Sequence, residues 1–107
     1  MINIIISRAA QRDVEEHAVF FAQESDRAAD RFLARVDEAI ERLRARPELG
    51  HRRHDLFPVE RAELRLFGIE GFPSHLVVYR LREEGLYVLR ILHGSRDLPN
   101  VDYSAAE

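Results

Sequence analysis

Hydrophobic positions follow two rhythms along this chain, and the switches between them mark its elements. Ile2, Ile4 and Ile6 alternate with Asn3 and Ile5, a short β-branched run that predicts an opening strand. From Arg8 the rhythm lengthens. Ser7 suits a helix N-cap, and Ala10, Val14, Ala18 and Phe21 share one face of a helix predicted over Arg8 to Gln23. Ser25-Asp26 interrupts that helix and offers a cap for the next. The second helix, Arg27 to Arg46, has the clearest period: Ala29, Phe32, Leu33, Val36, Ile40 and Leu43 form one stripe, with charges around it. Asp26 and Asp30 near its start and Arg42, Arg44 and Arg46 near its end complement the helix dipole. Pro47 ends it. So short a break between the two predicts an antiparallel helical hairpin.

After Pro47 comes a polar loop, residues 48 to 58, with Gly50, His51, Arg52, Arg53, His54, Asp55 and Pro58. The period of two then returns. Ala62, Leu64 and Leu66 alternate with Glu63, Arg65 and Phe67, as a half-buried strand does. Gly68, Gly71 and Pro73 mark a turn. Residues 75 to 82 and 86 to 93 predict two strands joined at Glu83-Glu84-Gly85. Both are apolar on both faces, which places them centrally in a sheet. Leu98 to Glu107 has no period. The order β-α-α-β-β-β predicts an α+β fold in one domain spanning residues 1–107, with a helical hairpin on one face of a mainly antiparallel four-stranded sheet.

Composition narrows the classes of function. The chain has 107 residues, 46% of them hydrophobic, and a formal net charge of −3. Proteins dedicated to nucleic acids are usually basic, because phosphate neutralisation drives their affinity. The charge balance argues against nucleic acid as the main partner. All 16 Lys-or-Arg positions are Arg, a side chain that forks onto carboxylates and stacks on rings. No apolar run is long enough to span a bilayer, and the start from Met1 does not read as a signal peptide. The absence of cysteine excludes disulfides and thiolate metal sites and fits a reducing cytoplasm. His51, His54 and Asp55 are spaced too closely and flexibly for a metal site. No Gly-rich phosphate loop or nucleophile elbow is present. No cofactor is expected.

Several local patterns stand in one order. Asp13, Val14, His17 and Phe20 give an acidic-apolar-x-x-apolar-x-x-aromatic series, with His17 in place of an aliphatic and Phe20 in place of a frequent Tyr. The apolar stripe then leads to Pro47 and Gly50. Leu64-Arg65, Phe72 to Arg80, and Arg90 to Asp97 follow. In this order the chain resembles the ParE branch of the RelE/ParE superfamily of toxins from type II toxin–antitoxin modules, most specifically over residues 64 to 97. The resemblance implies the RelE-like fold. It further implies a cytoplasmic toxin that binds the DNA gyrase A subunit, inhibits gyrase and so replication, and is neutralised by a cognate antitoxin. Such a toxin is an inhibitor of an enzyme rather than an enzyme, and meets nucleic acid only through its antitoxin. Two alternatives stand beside this: a RelE-type ribosome-dependent mRNA endoribonuclease, and a drifted member that binds an antitoxin but poisons nothing.

Each candidate site residue has a plainer account. Arg65, Arg80, Arg90 and Arg96 are candidates for a target-binding surface, the first three on the sheet face away from the helices. Alternatively they anchor ion pairs with Glu63, Glu83 or Asp97, worth under about 1 kcal/mol each when exposed. His93, Arg65, Arg80 and Tyr79 would fill the acid–base and phosphate-binding roles of a ribonuclease. Alternatively His93 and Asp97 fix the turn around Gly94. Phe20, Val19 and Phe57 are candidates for an antitoxin-binding groove. Alternatively they complete the core, the account favoured for Val19 and Phe57.

Overall fold

The computed structural model describes residues 2–104; the last three residues of the aperiodic tail, 105–107, lie outside the described residues. Strand β1 (Ile4–Ile6) runs into helix α1 (Arg8–Ala22), where the Ser7 hydroxyl accepts from the Ala10 N–H at 3.0 Å. Ser25 does the same for α2 (Asp26–Ala45), accepting from the Ala28 N–H at 3.0 Å. Each serine satisfies a first-turn donor that the helix leaves without a partner. Strand β2 (His51–Arg52) lies within the polar loop. Strands β3 (Arg65–Ile69), β4 (Phe72–Arg82) and β5 (Gly85–His93) complete the sheet, and single 3-10 turns form at Val59–Arg61 and Leu98–Asn100.

The sheet order is β1-β5-β4-β3-β2. Among the described residues only β1 and β5 pair in parallel. The α+β fold matches the expectation, but the sheet has five strands and not four. His51 and Arg52 pair with Leu66 and Arg65, and two residues are too few to show a period. β4 and β5 are internal, as their two apolar faces require. The turn between β3 and β4 is tighter than the sequence suggested. Gly68 lies inside β3 and Pro73 inside β4, leaving Gly71 at φ 83° to make the reversal. Pro73 is tolerated because β4 there extends past its last pair with β5, His75 with His93.

Two apolar cores sandwich the sheet. On one face Phe32, Val36, Ala39, Ile40 and Leu43 of α2 and Ala10 of α1 pack on Ile69, Val77, Tyr79, Leu86, Val88 and Ile91. Leu33 was expected in the α2 stripe but lies beside it, 38% exposed. On the other face Leu64, Leu66, Val78, Leu89 and Leu92 are covered by Phe57, Leu98, Val101 and Tyr103. That face, which one reading of the strand arginines made a positive surface, carries a second core roofed by irregular chain. The tail is therefore packed as far as Tyr103. The Tyr103 hydroxyl donates to the Leu98 carbonyl at 2.8 Å, and Arg61 donates to the carbonyls of Pro99 and Val101 at 3.0 and 2.9 Å. No helix among the described residues is long and apolar enough to cross a membrane.

Candidate functional site

Helix α1 completes a strand edge. β1 stops at Ile6, opposite Val88, so the outer edge of β5 would be bare from Leu89 onward. Polar groups from α1 and its cap take over the pairing. The Ser7 N–H donates to the Val88 carbonyl at 3.0 Å and the Ser7 hydroxyl to the Leu89 carbonyl at 2.7 Å. The Ile91 N–H donates to the Asp13 carboxylate at 3.0 Å, and His17 Nε2 donates to the Ile91 carbonyl at 2.9 Å. Arg90 reaches round the edge and grips Asp13 with Nε at 2.7 Å and Nη2 at 2.8 Å. This fork is largely withdrawn from water, and Asp13 raises the Arg90 pKa through the hydrogen bond they share. Asp13 of the helix pattern and Arg90 of the closing strand are thus two halves of one support.

The four candidate arginines do not converge. Arg65 shares a face with its pairing partner Tyr79 on the helix side, and donates to the carbonyls of Glu48 and Gly50 at 3.3 and 2.9 Å. Arg80 lies on the opposite face, over the Tyr87 ring and 3.9 Å from Glu63. Arg90 is held by Asp13 and by the Asp102 carbonyl at 3.2 Å. Arg96 is exposed, without an ion pair or hydrogen bond through its guanidinium among the described residues. It lines a hollow of about 650 Å³ whose wall includes Arg53, Leu66, Leu76 and Asp97.

Of the residues cast for RNA cleavage, Arg65 and Tyr79 are neighbours, while Arg80 and His93 lie apart from them. Tyr79 is fully buried. Its hydroxyl donates to the Pro47 carbonyl at 2.6 Å and accepts from the Gly50 N–H at 2.8 Å, and burial raises its pKa. A side chain at Gly50 would collide with the Tyr79 ring, since a Cβ there would lie 2.6 Å from it. Tyr79 and Gly50 therefore tie the end of α2 to the sheet. His93 accepts the Ser95 N–H on Nδ1 at 3.1 Å, and Asp97 accepts from the Asn100 side chain at 2.8 Å. Both do what turn residues do. In the polar loop, Arg53 holds Asp55 through two hydrogen bonds, which keeps that carboxyl down at about 2.

The open surface lies elsewhere. Val19 and Phe20 on α1 are each 65% exposed, so Val19 does not complete the core. Phe57 does: it is buried and packs edge-on against Tyr103. Phe20 forms one wall of a groove of about 530 Å³ between α1 and the start of β4, with Phe21, Phe72 and Pro73 as its other apolar walls. Its floor is a line of imidazoles, His17, His75 and His93, with ring centres 4.8 and 5.1 Å apart. His75 is buried against Phe21, Phe32 and Phe72. Burial, followed by the two neighbouring imidazoles, pushes its pKa down to about 4. The groove was expected from surplus apolar residues. The histidine floor was not, because its three members come from α1, β4 and β5 and share no local pattern.

A helical hairpin packed on a mostly antiparallel sheet is consistent with the RelE/ParE fold. The family described as the ParE toxin of the type II toxin–antitoxin system, parDE, matches residues 4–98. The chain belongs to this family. It is similar to Toxin ParE3 of Caulobacter vibrioides, with 39% identity over 66 residues, which cover 62% of this chain and 59% of that protein. The chain thus spans under two thirds of the length of that curated relative.

Proposed function

We propose that this chain is the toxin of a type II module, that it acts in the cytoplasm by inhibiting DNA gyrase through the A subunit, and that a cognate antitoxin neutralises it. Membership of the ParE family supports the toxin role. The observation that carries the binding rather than catalytic reading is the dispersal of Tyr79, Arg65, Arg80 and His93. Arg65 and Tyr79 stand together but are spent on backbone carbonyls, Arg80 lies on the sheet's far face and His93 serves a turn, so no common space receives all four. A general base and its phosphate ligands must share one substrate.

Antitoxin docking falls to the groove walled by Phe20 and flanked by Val19, because these offer the exposed apolar area that an amphipathic segment buries. Target binding falls to Arg96 and its hollow, since Arg65 and Arg90 are already occupied by the fold. Arginine suits such a surface, being common among the few residues that dominate interfaces.

Expression of the chain with and without the neighbouring open reading frame, followed by gyrase supercoiling and primer-extension assays, tests this. The expected result is growth arrest relieved by the neighbour, inhibited supercoiling and intact mRNA. Arg96→Ala should weaken gyrase inhibition at unchanged thermal stability. His93→Ala should leave toxicity largely in place, because a turn contact contributes about 1 kcal/mol. Codon-spaced mRNA cuts with untouched gyrase would replace this reading with the endoribonuclease. Unaffected growth with folded protein present would leave a drifted member.

A further inference from the structure

His75 is 8% exposed, and its ring nitrogens, which make no hydrogen bond among the described residues, still reach solvent. The space they open on is the apolar groove. Beside it, His93 accepts a backbone N–H on Nδ1, so in the neutral ring the proton sits on Nε2 and is free to donate. Arg31 of α2 stacks over Phe72, 5.9 Å from the ring centre, with no carboxylate partner among the described residues. The charged and titratable groups around His75 are few. α1 contributes His17, tied to the Ile91 carbonyl, and Glu16 on the rim; α2 contributes Arg31; β5 contributes His93. Glu70, in the turn before β4, is held away by Arg35 at 2.8 Å. The groove therefore presents apolar walls, a free N–H donor and an imidazole without a hydrogen-bond partner among the described residues, with Glu16 on its rim and the Arg31 guanidinium against its Phe72 wall.

We propose that this groove is a proton-linked docking site, taking an apolar side chain carried next to a carboxylate on the antitoxin segment, with the carboxylate seated over His75 and His93 and a proton drawn from water onto the imidazole line. The inference rests on the groove being the antitoxin's site. Its chemistry is set by complementarity: imidazoles on the floor, aromatic walls beside them, and the Arg31 guanidinium against the Phe72 wall. Without an anion, burial and the two neighbouring imidazoles disfavour charge on His75. A bound carboxylate reverses that, as an opposite charge within a few ångströms favours the protonated ring. Association should then tighten as pH falls.

The test uses the purified chain and two probes of one shape, 3-phenylpropionate and 3-phenylpropanamide, followed through the histidine Cε1–H resonances. The expected result is that the propionate binds more tightly than the amide, and about tenfold more tightly at about pH 6 than at about pH 8. His75 should titrate well above about 4 in the saturated propionate complex. His75→Phe should abolish the pH dependence while retaining amide binding. If that variant fails to fold, His93→Gln, at the exposed end of the imidazole line, should weaken propionate binding alone. Equal binding of both probes, binding of neither, or an unmoved His75 titration would overturn the proposal. None of these outcomes depends on whether the chain is toxic or has gyrase as its target.

Discussion

The two faces of the sheet are closed by different means. The helix face is covered by 35 residues of regular helix, whose apolar side chains recur every third or fourth position. The other face is covered by Phe57, Leu98, Val101 and Tyr103, which come from loops and a tail. Both cores exclude water from fully buried strand residues such as Val77 and Val78. Only the first has its own backbone hydrogen bonds repeating through the cover. The second relies on single contacts, among them Arg61 on two tail carbonyls and the Tyr103 hydroxyl on Leu98. The first cover therefore belongs with the global fold, and the second is the part that opens at lower cost.

The largest effect that separates the faces is expected from Phe32→Ala. Phe32 is fully buried between α1, α2 and β4, so its truncation should cost about 3–5 kcal/mol in urea denaturation. A loss near that of an exposed residue would mean that α2 does not hold the sheet. Next comes Asp13→Ala, which strips the β5 edge of an acceptor and leaves Arg90 partly buried without its carboxylate. About 3 kcal/mol is expected, and a double-mutant cycle with Arg90→Ala should show strong coupling.

Acid should act on the helix face third. His75 in the folded chain is held near 4, against an ordinary 6.5. As pH falls below about 6.5 the unfolded chain takes up that proton and the folded chain does not. Stability is therefore complete above about 6.5 and declines as pH approaches about 4, by about 3 kcal/mol. Chemical denaturation of the chain and of His75→Gln across that window isolates the contribution as the pH-dependent difference between them. The smallest effect belongs to the other face: Tyr103→Phe should cost about 1 kcal/mol and speed amide exchange in the tail more than in α2.

The same contrast explains what could be read in the amino-acid order. Phe32, Val36, Ile40 and Leu43 recur at helical spacing, so α2 and its buried side were visible at once. The alternation of Leu64 and Leu66 announced β3, although its outer neighbour, His51–Arg52, was too short to show. The tail's cover was invisible because Leu98, Val101 and Tyr103 follow no single period. The site divided along the same line. Phe20 was found as an apolar residue too many for the core. Arg65, Arg80 and Arg90 were legible as strand arginines needing polar partners, but not which partner each would find. A bulge between Val78 and Tyr79 shifts the register of β4 on β5, and the grip of Asp13 on Arg90 spans 77 positions. His17, His75 and His93 meet only once the topology is complete.

The parallel pairing of β1 with β5 has a consequence for synthesis. Ile4 lies opposite Leu86, so the first strand made must wait for almost the last. While the ribosome is still adding the middle of the chain, the α1–α2 hairpin has a greasy stripe and nothing to lay it on. Contacts of such long reach also slow the final closure. An incomplete chain cannot hold the edge that Ser7, Asp13 and His17 cap, because that edge has not yet been translated. A message cut short before the codons for Leu86 to Ile91 therefore yields a chain without this fold, open to proteolysis.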